Sequence, residues 1–216
     1  EAFESAVKQY TGAPPAGALS SGTAALHLAL KACGVHTGDR VYASSFTFAA
    51  SVNPILYEHA TPVLIDSERE SWNLDPDLLE PLLRDDAAKG KLPKALILTH
   101  LYGQPADLQK IADLCRQYDV PLIEDAAEAL GAEWADRKAG TVGTIGVYSF
   151  NGNKILTCSG GGMLECSDSD TAHRVRKWST QSREPARHYE HRELGYNYRL
   201  SNLLAALGAA QMETLP

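Results

Sequence analysis

Apolar positions recur along this chain in two alternating periods. Leu26, Ala29, Leu30 and Cys33 fall at helical spacing just after the turn SSGT, which predicts a helix beginning near Thr23 and stopped by Gly34. RVYAS then predicts a short strand, and Phe48, Val52, Ile55, Leu56 and His59 predict a helix on which they share one face. TPVLID reads as the next strand, and DPDLLEPLLRDDAA as a helix opened by Asp75 and Pro76. KALILTH, ADLQKIADLCRQYD and VPLIED continue as strand, helix and strand, and this order implies parallel strands joined by crossover helices. Two further β-rich runs, TIGVYSF and GGMLEC, are joined by NGNKILTCSGG, and the part from Asp168 onward is expected to be mostly helical.

Composition narrows what such an α/β chain does. With 216 residues, 44% of them hydrophobic, it is long enough for one substantial core. No apolar run approaches the roughly 20 residues needed to span a bilayer. The opening EAFESAVKQY also lacks the basic-then-apolar order of a signal peptide, so the expectation is a soluble, cytoplasmic protein with no membrane partner. A formal net charge of -7 argues against nucleic-acid binding but allows a small anionic ligand where cations converge. Cys33, Cys115, Cys158 and Cys166 form no CxxC pair, so buried thiols are expected instead of a disulfide framework or a metal site. The chain starts within a helical pattern and stops directly after the amphipathic run SNLLAALGAAQMETL, which suggests truncation at both ends.

In open α/β sheets ligands sit at the carboxyl ends of the strands, which makes Ser44, Ser45, His100, Asp125 and the loop after Phe150 the first candidates. Within that loop Lys154 is flanked by small and polar residues between two apolar strands, a setting that suits a cleft amine able to attack an aldehyde, although a solvated loop lysine is the commoner case from local context alone. Asp125 ends its strand, where a carboxylate can pair with a protonated pyridine nitrogen; the ordinary alternative is an N-cap for a helix beginning AAEAL. Glu124 and Glu128, on either side of it, read equally well as surface acids. Ser21, Gly22 and Thr23 open a helix, where free N-H groups and the helix dipole favour a phosphate, although a plain serine or threonine cap would look the same. Ser149 could add a phosphate hydrogen bond or be an ordinary satisfied strand-end hydroxyl, and Phe48 could cover a flat cofactor ring or simply pack in the core.

Taken in order and spacing, SSGTAALHLAL, ASSFTFAAS, HLYGQPAD, IEDAAEALGA, SFNGNKILTCSGGGML and LGYNYRLSNLLAALGAAQ resemble the sugar-nucleotide aminotransferases of the DegT/DnrJ/EryC1/StrS family over essentially the whole chain. The wording SFNGNK and ASSFTF is similar to members that make 4-amino-4,6-dideoxy-N-acetylhexosamines, such as bacillosamine-pathway enzymes. The resemblance implies that residues 1–216 form the pyridoxal 5'-phosphate-binding large domain of a fold-type-I aminotransferase, a mainly parallel sheet between helical layers, with the small C-terminal domain absent. It also implies a homodimer with shared active sites. Lys154 would be the Schiff-base lysine and proton shuttle, Asp125 the partner of the pyridine nitrogen, and Phe48 the stacking ring. Gly22, Thr23 and Ser149 would hold the phosphate, with Asn197 reaching across from the other subunit and Glu128 beside the ring.

Some relatives carry histidine in place of the lysine and act as dehydratases; lysine here favours transamination. The implied reaction moves nitrogen from an amino-acid donor, glutamate, to a nucleotide-linked sugar such as a UDP-4-keto-6-deoxy-N-acetylhexosamine. Arg183, Arg187, His188 and Arg192 would lie near the anionic nucleotide; a solvated surface is their alternative. A second reading is a non-catalytic remnant that keeps the cofactor-binding fold. A nicotinamide enzyme is disfavoured, because no GxGxxG follows the first strand and Gly160 to Gly162 precede a strand.

Overall fold

The computed structural model describes residues 1–215. The chain opens on α1 (Ala2–Thr11), β1 (Pro15–Leu19) and α2 (Gly22–Ala32), followed by β2 (Arg40–Ser44), α3 (Asn53–Tyr57) and β3 (Thr61–Ile65). Next come α4 (Pro76–Ala88), β4 (Ala95–Thr99), α5 (Leu108–Gln117) and β5 (Leu122–Asp125). A small ribbon, β6 (Glu133–Trp134) and β7 (Arg137–Lys138), precedes β8 (Ile145–Ser149), β9 (Gly162–Glu165), α6 (Ser169–Ser179) and α7 (Asn202–Met212). Seven strands form one sheet in the order β1-β9-β8-β5-β4-β2-β3. It is parallel from β3 through β8, and β9 runs against both β8 and β1.

Alternate strand residues face opposite sides of the sheet, and both sides are covered. Val41, Ala43, Ile97, Ile123, Val147 and Leu164 pack with Leu26, Leu30 and Ala29 of α2 and with Val175 and Trp178 of α6. Their neighbours Tyr42, Leu96, Leu98 and Leu122 pack instead with Leu79 and Leu83 of α4 and Ile111 and Cys115 of α5. Further along that second side Ala18, Tyr148 and Met163 meet Phe3 and Val7 of α1 and Met212 of α7. Two-sided burial explains why the central strands read as continuous apolar runs.

Four segments differ from the sequence pattern. The helix expected to carry Phe48 through His59 is instead a 3-10 turn, Ala49–Ser51, followed by α3. Pro54, in the first turn of α3, lacks the N-H that a continuous helix would bond back to Ala50, so the two pieces do not fuse. Ile55 is buried, whereas Phe48 and Leu56 are exposed. After Asp125 no helix forms: AAEAL runs through turns to Gly131, too short a stretch to repay helix nucleation. Residues 180–201, expected to be largely helical, are irregular and strap back along the sheet, with Leu200 N donating to Ala18 O at 3.2 Å and Ser20 N to Tyr198 O at 2.7 Å. Finally β1, with the sequence PAGAL, went unanticipated because alanine, glycine and proline carry little strand signal.

The four cysteines are free thiols, three of them buried and Cys33 half-buried. Among the described residues no group of His, Cys, Asp and Glu side chains is arranged to hold a metal ion, and no helix is long and apolar enough to cross a membrane. In α7 the small Gly208 packs on Phe3 and Cys158, while Leu203 and Leu207 are exposed, so its apolar residues spread around the helix and not along one stripe. At the end of β9 Glu165 is enclosed: Thr11 Oγ1 donates to its Oε1 at 2.9 Å, Oε2 has no hydrogen-bond partner among the described residues, and burial pushes the carboxyl up to about 8.

Candidate active site

β5 delivers Asp125 to the carboxyl edge of the sheet with only 4% of its surface exposed. Ser51 Oγ donates to Oδ2 at 2.6 Å and Ala127 N to Oδ1 at 3.2 Å, so both carboxyl oxygens are fixed. Ser51 lies 2.7 Å from Thr47 Oγ1, which is 3.0 Å from Thr99 Oγ1, a chain of hydroxyls behind the carboxylate. Burial pushes Asp125 above the usual aspartate range, against the hydrogen bonds from Ser51 and Ala127 and the charge of Lys154. A buried carboxyl in that condition gains from a cationic N-H placed against it.

The adjacent Glu124 points away and is fully buried, not a surface acid. Its oxygens accept from Val142 N at 2.6 Å, Gly140 N at 2.9 Å and His100 Nε2 at 3.0 Å. Ala106 N donates to His100 Nδ1, so the ring proton sits on Nε2 and points at Glu124. Burial works against the Glu124 charge, but the bonds from His100, Gly143 and Gly140 outweigh it and hold the carboxyl below its ordinary range. This cluster anchors the turn that precedes β8. His100 is therefore a support for the fold, and neither it nor Ser44 or Ser45 lines the cleft described next.

The loop after β8 carries Lys154, whose Nζ donates to Glu128 Oε1 at 2.9 Å. Glu128 Oε2 accepts from Tyr102 N at 3.1 Å, so one carboxylate joins the lysine to the turn after β4. Gly103 completes that turn at φ +86°, and a Cβ there would lie 2.9 Å from the Glu128 carbonyl oxygen; glycine lets the turn sit this close. Across the cleft Ser21 caps α2 by accepting from Ala24 N at 3.0 Å. The first-turn N-H groups of Gly22 and Thr23 have no acceptor within the helix. A Cβ on Gly22 would stand 3.0 Å from Ser149 Cβ, so the bare backbone brings the helix end and the serine hydroxyl into one cradle.

Gly22, Thr23, Phe48, Asp125, Glu128, Ser149 and Lys154 all line a single cleft of about 540 Å³. Phe48, expected inside a helix, sits just before the 3-10 turn in extended backbone and is 75% exposed, which leaves its ring free to cover a ligand. Asn197 is exposed and outside the cleft of its own chain. Arg183 lines a separate open cleft with Arg176, Lys177 and Arg199, and its guanidinium stacks on Tyr189. His188 and Arg192 each pair with Glu190, and Arg187 is exposed. Ser51, Thr47, Thr99 and Tyr102 escaped the sequence reading. The hydroxyl-rich wording of SSFTFAAS was the one local signal for Ser51 and Thr47; Thr99 and Tyr102 had none, since their partners lie far along the chain.

The cleft thus combines an anion cradle, a buried carboxyl suited to a cationic N-H, and an amine held by a carboxylate. The family model for the DegT/DnrJ/EryC1/StrS aminotransferase family matches residues 1–216. The protein EpsN of Bacillus subtilis is 52% identical over 99% of this chain and 55% of its own length, and the GDP-perosamine synthase of Caulobacter vibrioides is 42% identical over 98% and 55%. Among solved structures, a DegT DnrJ EryC1 StrS aminotransferase from Brucella abortus superposes with a TM-score of 0.89 at 29% identity, over 98% of this chain and 57% of that one. A 3-amino-5-hydroxybenzoic acid synthase reaches 0.90 at 30% identity, over 99% and 55%. The chain spans about half the length of the curated relatives it matches. It belongs to the DegT/DnrJ/EryC1/StrS aminotransferase family.

Proposed function

We propose that this chain is the cofactor-binding large domain of a pyridoxal 5'-phosphate-dependent aminotransferase that moves nitrogen from glutamate to a nucleotide-linked keto-sugar. One observation carries the reading: Lys154, Asp125 and the Gly22–Ser149 cradle, distant in sequence, converge on one cleft. Each matches one part of the cofactor, respectively its aldehyde, its ring nitrogen and its phosphate. The fit is physical. The α2 terminus and Ser149 offer donors to an anion, and the enclosed Asp125 gains a cationic partner.

Bound there, the cofactor supplies an aldehyde that holds the migrating amino group and a ring that accepts electrons. Asp125, fixed by Ser51 and Ala127, would hold the ring nitrogen's proton. Lys154 Nζ, once it leaves Glu128, takes the proton from the donor's α-carbon and later returns one to the sugar carbon that receives nitrogen. Glu128 accepts the lysine ammonium between these duties. Phe48, exposed where it lines the cleft, would cover one face of the bound ring. We read Asn197 as a phosphate ligand for a second copy of the chain, which would make the working form a homodimer, and Arg183, Arg187, His188 and Arg192 as groups facing the nucleotide. The substrate we favour is a UDP-4-keto-6-deoxy-N-acetylhexosamine.

The test is the visible absorption of the protein with pyridoxal phosphate, before and after glutamate, beside Lys154→Ala. A lysine-dependent band that bleaches with glutamate is expected. A band that is unchanged in Lys154→Ala, or that ignores every amino acid offered, would sink the reading and favour a non-catalytic cofactor-binding remnant.

A further inference from the structure

Beside the cleft three aromatic rings face solvent: Phe46 is 43%, Trp72 55% and Tyr102 73% exposed. Phe46 lies 5.9 Å from Trp72 and 6.3 Å from Tyr102, centroid to centroid. Phe46 and Tyr102 line the Lys154 cleft itself, so the cluster continues the active site outward. Solvent-facing aromatic side chains of this size gain little from folding. Two of them are also held where L residues are strained, Trp72 at φ +63° and Tyr102 at φ +52°.

The backbone beneath them is fixed. Residues 66–75 close on themselves through Asp75 N to Asp66 O at 3.0 Å and Glu68 N to Asn73 O at 2.9 Å. Asn73, buried next to Trp72, accepts from Leu101 N at 2.9 Å and donates to Gln104 O at 3.0 Å, which staples the Trp72 loop to the Tyr102 turn. That turn is in turn held by Glu128, the partner of Lys154. The rings are therefore preorganised relative to the reacting amine.

We propose that Phe46, Trp72 and Tyr102 form a platform for the apolar face of the acceptor's sugar ring, and so help to decide which sugar is aminated. This rests on the aminotransferase reading above. The ring geometry selects the ligand. Phe46 and Tyr102 are nearly perpendicular at 89°, and Phe46 and Trp72 are tilted by 43°, so no parallel pair is available to sandwich a flat base. Splayed faces suit the C-H groups of a puckered ring. Asp66, Glu68 and Glu70 outnumber Arg69 on the same loop and disfavour a diphosphate there, which leaves the uncharged sugar as the portion that rests on the rings.

The probes are UDP-N-acetylglucosamine and GDP-mannose, with UDP and GDP as sugar-free controls; tryptophan fluorescence of the parent against the two Trp72 variants reports whether Trp72 senses the probe, and calorimetric titration gives the affinity in the parent, Trp72→Phe and Trp72→Gly proteins. A sugar nucleotide should quench a Trp72-dependent signal that the matching diphosphate does not. Binding should weaken roughly five- to tenfold in Trp72→Gly and be restored in large part by Trp72→Phe. Because glycine relieves the left-handed backbone, Trp72→Gly should melt no lower than the parent, which separates lost binding from lost folding. Equal quenching by the diphosphates, or no Trp72-dependent response to any probe, overturns the proposal. So does a sedimentation shift in Trp72→Gly without a change in binding, which would make the rings a contact between copies. Glutamate bleaching of the parent is scored separately, so the platform and the aminotransferase reading can fail independently.

Discussion

Ser51 Oγ stands 2.6 Å from Asp125 Oδ2 and donates to it, inside a region that excludes water from the carboxyl almost completely. Burial raises the Asp125 pKa above its unfolded value. Stability from such a group is complete below the unfolded pKa and falls as pH rises toward the folded one. Cofactor-free Asp125→Asn should therefore melt above the parent at neutral pH, with the gap closing as pH drops through the aspartate range. Thermal melts across pH check this. On the proposed function the order reverses in the protein loaded with pyridoxal phosphate, and transamination should fall by on the order of 100-fold, because an amide would no longer hold the proton on the ring nitrogen.

Glu165 gives a second pH effect, remote from the cleft. Its folded pKa of about 8 lies above the ordinary value of 4.5, so it favours the folded state below pH 4.5 and that contribution is lost as pH rises to about 8. Glu165→Gln should flatten this decline in denaturant-derived stability, by an amount on the order of a few kcal/mol. A parent protein as stable at pH 9 as at pH 5, relative to the variant, would contradict the enclosed position of this carboxyl.

Asn73→Ala removes both side-chain links between the Trp72 loop and the Tyr102 turn and leaves Leu101 N unpaired in a buried place. A loss of about 1–3 kcal/mol is expected. Amide exchange should rise at Leu101 and Gln104 ahead of global unfolding. A uniform rise across the sheet would mean that the staple is not local.

Ser149→Ala removes one charge-assisted donor from the anion cradle and should weaken pyridoxal phosphate binding roughly tenfold or more. Gly22→Ala acts on the same cradle by crowding Ser149 Cβ from 3.0 Å, and should shift affinity without a comparable change in melting temperature. Equilibrium dialysis with pyridoxal phosphate, beside melts, distinguishes the two effects.

The central strands β4 and β5 could be read from the sequence because each is buried on both faces, so ALIL and the VPLI of VPLIED are unbroken apolar runs. That Asp125, Gly22 and Ser149 line one cleft was legible because each stands at a strand or helix end, and Lys154 because it lies in the loop that leaves the carboxyl end of β8. Ser51 was not: its role exists only through Asp125, 74 residues away, and a serine in a turn has no distinguishing neighbour. Trp72 and Tyr102 were hidden for a different reason. Their left-handed backbone is imposed by Asn73 and Glu128, and propensity assigns aromatic residues elsewhere. Glu124 was misread because its burial depends on His100 and the 140–143 turn closing around it.

The sheet edge sets the timing of assembly. β1 lies at that edge, and the strand it pairs with is β9, so Leu19 meets Gly162 across most of the chain. The parallel block from β2 to β5 closes through short crossovers, whereas this pairing bears the largest loop-closure entropy of any strand pair in the sheet and is expected late. Ser21 leads from β1 into α2, and Gly161 from the Lys154 loop into β9, so the anion cradle and the lysine take their places together when β9 slots between β1 and β8. During refolding, affinity for pyridoxal phosphate should accordingly trail the helical circular-dichroism signal, and its appearance times the arrival of the reversed strand.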